Sequence, residues 1–242
     1  MREICAATTV NLEAFVHGAL CVSYSGQCYA SQACFGRNAN RGACAQFCRL
    51  PFDLVDANNE IIKARQHLLS LKDMNRSNSL EEMMDAGISS FKIEGRLKDE
   101  TYVKNVTAHY RKAIDAILAN RPEAYVRSSQ GKSAIAFTPM PAKSFNRGFT
   151  DYILYDRQAI HNFATPKAMG EPLGYVKRLK QRSFILDTAH ELPAGDGLCY
   201  LALDGSLQGM RINRVEGKEI FLHQTPLPSL GAEIFRNTDY AF

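Results

Sequence analysis

The residues with the most evident chemistry lie together. From Cys21 to Cys48 the sequence reads CVSYSGQCYASQACFGRNANRGACAQFC and holds Cys21, Cys28, Cys34, Cys44 and Cys48, five of the seven cysteines. Glycines, small residues and the arginines Arg37, Arg41 and Arg49 surround them. A thiolate is a soft ligand suited to zinc or to iron–sulfur chemistry, and one segment that doubles back brings several sulfurs together. The spacing Cys21-x6-Cys28-x15-Cys44-x3-Cys48 is not that of a zinc ribbon, whose close pairs have about two to four residues between them. Only Cys44 and Cys48 approximate such a pair, and the bacterial ferredoxin run is absent. On spacing alone, a cubane cluster and a single zinc both stay open. Free cysteine also packs as a small hydrophobe. That is the reading for Cys34, which exceeds a four-ligand site, and for Cys5 and Cys199.

Several elements must position this segment. Leu12, Phe15, Val16 and Leu20 form a short apolar run that predicts a buried strand delivering Cys21. Arg49–Ile62 alternates around Asn58-Asn59, a hairpin signal. His67–Met74 and Ile88–Arg96 read as strands. Asn78–Gly87 reads as a helix with acids in its first turn. In Asp99–Asn120, Tyr102, Val106, Tyr110, Ala113, Ile114 and Ile117 recur at helical spacing, and Pro122 follows the end. Strand, helix, strand, helix over residues 67–120 predicts an α/β fold with parallel strands. LLSLKD and FKIEGR, apolar runs ending in charge, suit barrel strands, with chemistry at their C-terminal ends. About three such strands are found, where a closed barrel needs eight. From about residue 140 the character changes to short β-like runs separated by Gly170, Gly174, Gly195, Gly197, Gly205 and Gly217, which predicts a small all-β barrel over residues 141–242.

With 242 residues, one large domain or two ordinary ones fit. The net charge of +4 permits an anionic partner without demanding one. No signal peptide is read at the start, because Glu3 and Glu13 interrupt it, and no apolar run approaches a membrane span. A soluble, cytoplasmic protein without a membrane partner is expected, and in that compartment clustered cysteines bind metal or catalyse.

The motif EAFVHGALCVSYSGQC, then NRGAC and a further cysteine, HLLSLKD, FKIEGR with the Y-V-x-x-V-T-x-x-Y-R helix after it, and FNRGFTDY resembles the U-32 peptidase family of collagenase-like proteins. The likeness runs in order from about residue 12 to residue 155. It is strongest to bacterial members that form 5-hydroxycytidine in 23S ribosomal RNA. The resemblance implies a TIM-like barrel and a four-iron, four-sulfur cluster on Cys21, Cys28, Cys44 and Cys48, with Cys34 outside the motif. It implies an RNA-modifying enzyme acting on ribosomal RNA (or tRNA), with prephenate as cosubstrate and the iron–sulfur assembly machinery as a partner. A collagenase-like peptidase is the alternative the family name suggests. Family proteins carry about half a barrel before EAFVHGALC. The chain is therefore expected to be the latter part of a longer protein, and a metal-stapled scaffold needing that N-terminal half-barrel is a third reading.

Other candidates follow from position. His17 ends its strand beside the cysteine segment, as a proton carrier, an RNA contact or a hydrogen-bonded core histidine. Lys72, Asp73, Lys92, Glu94 and Arg96 end or follow strands, so a barrel would turn them to the same mouth. Lys72 and Arg96 are candidates to bind a dicarboxylate, and Glu94 to act as acid or base or to orient Arg96. Asp73 reads as part of a structural ion pair. Arg37, Arg41 and Arg49 flank the cysteines, to balance thiolate charge or meet phosphate. Lys177, Arg178, Lys180 and Arg182 form a basic run that reads equally as an RNA contact or as a charged strand edge. Tyr102 and Tyr110 read as core.

Overall fold

Two sheet systems make up the computed structural model, which describes residues 1–223 and 227–242. A short helix α1 (Arg2–Ala6), not anticipated in the polar start, precedes strand β1 (Glu13–Ala19). The cysteine segment holds one short helix, α2 (Ala30–Phe35), and two 3-10 turns. The hairpin follows as β2 (Phe52–Val55) and β3 (Ile61–Gln66). Its turn is closed by Asp56, whose Oδ1 accepts the Asn58 and Glu60 N–H groups at 2.8 and 2.9 Å. Then come β4 (Asp73–Asn75), α3 (Leu80–Asp85), β5 (Ser90–Ile93), α4 (Glu100–Asn120) and β6 (Phe149–Thr150).

Helix α4 forms where its apolar period predicts. Asp99 caps it, with Oδ1 accepting the Tyr102 N–H at 2.8 Å. Its buried face, Tyr102, Val106 and Tyr110, packs on Val16, Leu80 and Met83 to make the first core. Over these elements lies a mixed sheet of order β5-β1-β4-β6.

Here the structure departs from the expected run of parallel strands. β5 is parallel to β1, but β4 is antiparallel to it, and β6 is parallel to β4. Of His67–Met74 only the end is strand. Residues 67–72 instead lie against 160–163: His67 N–H reaches Phe163 O at 3.0 Å and Lys72 N–H reaches Ile160 O at 2.9 Å. Of the apolar letters of HLLSL only Leu71 is buried, and an apolar run carries neither strand direction nor a ladder partner. The pairing of β6 with β4 keeps residues 149–150 on this sheet, past the change of character near residue 140.

The remaining strands close a six-stranded antiparallel barrel: β7 (Glu171–Leu179), β8 (Ser183–Asp187), β9 (Gly197–Leu201), β10 (Leu207–Glu216), β11 (Glu219–Leu222) and β12 (Glu233–Thr238). Closure removes the exposed edges. Val176, Phe184, Leu186, Leu198, Ile212 and Ile234 fill its interior. Buried Arg236 is held at one end by Glu171 at 2.6 Å and Asp196 at 3.2 Å.

Candidate functional site

Strand β1 ends where the site begins. At Gly18, φ is +113°, and a Cβ there would stand 2.6 Å from the Glu94 carbonyl oxygen. Only glycine lets β1 close on the end of β5, where the Glu94 N–H reaches His17 O at 2.8 Å. Leu20 and Cys21 continue from that point into the cysteine segment.

Three devices fold the segment back. Helix α2 ends in an αL cap at Gly36 (φ 63°): Gly36 N–H bonds Gln32 O, and Arg37 N–H bonds Ser31 O. Asn40 Oδ1 accepts the Cys28 N–H at 3.1 Å, and buried Ser31 Oγ accepts the Ala45 N–H at 3.1 Å. Arg49 then ties both ends of the loop to the sheet, donating to Leu20 O at 3.1 Å, Leu71 O at 2.9 Å and Ser70 Oγ at 2.9 Å.

The result is an open cleft of about 770 Å³ lined by Cys21, Cys28, Cys44 and Cys48. Cys34 does not line it. The rest of the lining is apolar or neutral, with Tyr24, Tyr29, Phe47 and Leu69 prominent and no carboxylate. Such a donor set fits a soft metal or an iron–sulfur cluster. Among the described residues no three His, Cys, Asp or Glu side chains stand close enough to hold a single ion. The four thiols share one cleft but are not drawn to one point. Burial pushes the Cys48 thiol pKa up, opposed by Arg49, with smaller upward contributions from Cys21 and Cys44.

His17 is 2% exposed and its ring lies among Tyr102, Tyr110 and Phe149, with centroids 5.5–6.0 Å away. The Tyr110 oxygen accepts the Arg76 N–H at 3.3 Å and stands 2.8 Å from Val16 O, 3.2 Å from Asn75 Oδ1 and 3.3 Å from the Nδ1 of His17. With the Tyr110 proton on Val16 O, the shortest of these contacts, the Nδ1–H tautomer of His17 is the donor to Tyr110. Burial, helped by His109, pushes the His17 pKa down to about 4. At neutral pH it is an uncharged, bonded core histidine.

Asp73 forms a buried pair with Arg147, both its oxygens taking Arg147 donors at 2.8 Å. Glu94 bonds through its backbone, its carbonyl accepting the Tyr102 hydroxyl at 3.0 Å. Its carboxylate makes no bond among the described residues. Arg96 and Arg41 are exposed and Lys72 is half-buried. Lys92 does not join them: its ammonium pairs with Glu13 at 3.2 Å, at the far end of β1. Lys177 and Lys180 pair with Asp187 and Glu219.

Two residues escaped the sequence reading. Arg147 lies in FNRGFTDY, and its guanidinium stands 4.8 Å over the Phe145 ring. The Lys98 ammonium stands 3.2 Å over the same ring, and burial with the nearby Arg147 charge lowers its pKa. The family motif was the available signal for Arg147. Lys98 had none.

The profile described as peptidase family U32 matches residues 1–162. The chain is 45% identical over 217 residues to the 23S rRNA 5-hydroxycytidine C2501 synthase of Escherichia coli (strain K12), covering 89% of this chain and 33% of that protein. It is 35% identical over 216 residues to a collagenase of Porphyromonas gingivalis, covering 86% of this chain and 56% of that protein. It is 39% identical over 132 residues to the tRNA hydroxylation protein P1 of Bacillus subtilis (strain 168), covering 52% and 31%. The chain thus spans from about a third to just over half the length of these relatives. No solved structure matches it. The profile covers the cysteine segment, β1 and the sheet around them, and the chain belongs to peptidase family U32.

Proposed function

We propose that this chain is the thiol-bearing part of an RNA-hydroxylating U32 protein that acts on a cytidine of large-subunit ribosomal RNA. In this reading Cys21, Cys28, Cys44 and Cys48 hold a four-iron, four-sulfur cluster. The observation that carries it is the shared cleft: the four thiols of the family motif line it and the fifth cysteine of the segment does not. The E. coli and B. subtilis relatives, a 23S rRNA synthase and a tRNA hydroxylation protein, support the RNA substrate class. A single zinc binds thiolates at about 2.3 Å, so its sulfurs lie within about 4 Å of one another. A cluster of several irons spaces its ligands more widely, which suits four thiols around a cleft of about 770 Å³.

When bound, such a cluster supplies one-electron redox chemistry. The chain's own groups hold and surround it. Arg49 anchors both ends of the ligand loop and sets positive charge beside Cys48. Arg41 faces solvent to meet RNA phosphate. Lys72 and Arg96 are assigned to the carboxylates of prephenate, and the unbonded Glu94 carboxylate to proton transfer. His17, neutral and committed to Tyr110, positions the end of β1 and carries no proton at pH 7 beyond the one it donates.

The test is anaerobic purification of the full chain with iron and sulfide analysis, alongside nucleoside mass spectrometry of 23S RNA from a strain lacking its own synthase. Iron and acid-labile sulfide in about equal amounts are expected, with Cys21→Ser and Cys44→Ser losing them. Full iron retention in both variants would sink the cluster, and absence of 5-hydroxycytidine with the cluster present would sink the RNA reaction by this chain alone. The collagenase relative motivates a second reading, supported only if gelatin cleavage survives metal removal and tracks the purified chain.

A further inference from the structure

The cleft has a rim that its thiols do not explain. Tyr24 and Tyr29 line it, yet they are 83% and 66% exposed. Aromatic side chains are ordinarily held by the surface they bury, so two such rings standing in water beside one cleft have a free face to offer. The floor below them is fixed. Phe47 lines the cleft and tilts against Phe35 and Phe52, with ring centroids 6.1 and 4.9 Å away. Gln27 and Asn40 line the same space. Asn40 Oδ1 is held by the Cys28 N–H, and its Nδ2 makes no bond among the described residues, a donor still to be used.

The segment that forms this rim carries charge of one sign. From Ala14 to Phe52 the sequence contains no Asp or Glu. Arg37 and Arg41, both exposed, bracket the turn that carries Asn40. Neither forms an ion pair among the described residues.

The geometry points to a nucleobase bay: we propose that the cleft receives one unstacked base of single-stranded RNA. Tyr24 and Tyr29 stack on it, Gln27 and Asn40 read its edge, and Arg37 and Arg41 hold the flanking phosphates. An unstacked RNA base presents two π faces, an edge of donors and acceptors, and an anionic backbone, and sites that hold one combine aromatic planes, amide readers and cations. An apolar peptide would use the rings and leave the arginines idle. A small anion would use the arginines and leave the rings idle. The inference rests on the RNA substrate proposed above and adds where the base sits.

The experiment uses the full chain purified anaerobically with whatever iron it carries. It binds a fluorescent cytidine-centred oligoribonucleotide and the same strand with the central base removed. The base-bearing strand is expected to bind about tenfold more tightly. Tyr24→Leu and Tyr29→Leu should each abolish most of that preference, while Tyr24→Phe and Tyr29→Phe keep it. Arg37→Ala and Arg41→Ala should weaken both strands alike and lower the salt slope by about 0.7 for each phosphate no longer neutralised. Iron content is measured for every variant. Where a Leu variant loses iron, iodide quenching of tyrosine emission in the unaltered chain, which has no Trp, decides instead: added RNA should protect against it. Equal binding of the two strands, Leu variants that keep the preference, or no protection overturns the bay. Base-selective binding without 5-hydroxycytidine in the assay above keeps the bay and removes the hydroxylation reading. Hydroxylation without base preference does the reverse.

Discussion

At the residue scale, His17 and Asp73 show how burial assigns roles. Both stand near the end of β1, the first alone among aromatic rings and the second against Arg147. The folded pKa of His17, about 4, lies below the unfolded value of about 6.5. Between those pH values the unfolded chain takes up a proton that the folded chain refuses. Stability is therefore complete above pH 6.5 and falls as pH drops toward 4, by about 3 kcal/mol at most. His17→Gln should flatten the urea midpoint between pH 4 and 7 relative to the unaltered chain; parallel profiles would show that His17 is not the group responsible. His109, also lowered by burial, contributes to both profiles and cancels in the difference. Asp73→Asn leaves the Arg147 guanidinium buried without its counter-charge, a loss of about 3–5 kcal/mol. Denaturant unfolding at pH 7 measures it, and a change below about 1 kcal/mol would mean that solvent reaches Arg147 more freely than its 8% exposure allows.

At the scale of elements, the cysteine loop is held less by its thiols than by Arg49. One guanidinium donates to carbonyls on either side, Leu20 just before Cys21 and Leu71 just before Lys72. Arg49→Ala should free both ends: trypsin and chymotrypsin are expected to cut within residues 22–47 at least several-fold faster, and on the cluster proposed above iron content should fall although none of the four cysteines is altered. Unchanged cleavage and iron would place the stiffness in α2 and its Gly36 cap instead. Gly18→Ala meets the Glu94 carbonyl at 2.6 Å and requires a positive φ, so a loss of about 2 kcal/mol or more is expected, read as a lowered melting temperature. Much of this level was legible in the sequence. The α4 period and the hairpin about Asn58-Asn59 are local signals, and the structure has them where expected. The thiols were legible as a group because they are neighbours along the chain. What escaped was non-local. The reversed direction of β4 depends on which strand it meets, and Asp73 finds Arg147 across 74 positions, a separation no periodicity spans. Tyr24 and Tyr29 also escaped, because two tyrosines among glycines and serines carry no mark of exposure until the loop is folded.

At the scale of the molecule, the question is where the chain divides. The barrel has its own core, centred on Val176, Phe184, Leu198, Ile212 and Ile234, and its own buried ion cluster of Arg236 with Glu171 and Asp196. Residues 147–163 belong elsewhere. Arg147 pairs with Asp73, β6 lies along β4, and Asn162 bonds both Ser70 O and Arg147 O. Between the two systems runs a narrow link in which Lys143 reaches Asp239 and stands 5.1 Å over the Phe242 ring. A fragment of residues 166–242 is therefore expected to fold alone with one cooperative transition, because its hydrophobic interior and the buried charges of Arg236, Glu171 and Asp196 are satisfied within it. A fragment beginning at residue 141 should gain nothing in stability and should show residues 147–163 unprotected in amide hydrogen exchange, since their strand partner is missing. Lys143→Met in the full chain should then leave the barrel transition in place while separating it from that of the first sheet. The three measurements bear on one another. If residues 166–242 alone fail to fold while 141–242 succeed, the segment 141–165 supports the barrel directly, and the link at Lys143 is part of the barrel's own structure.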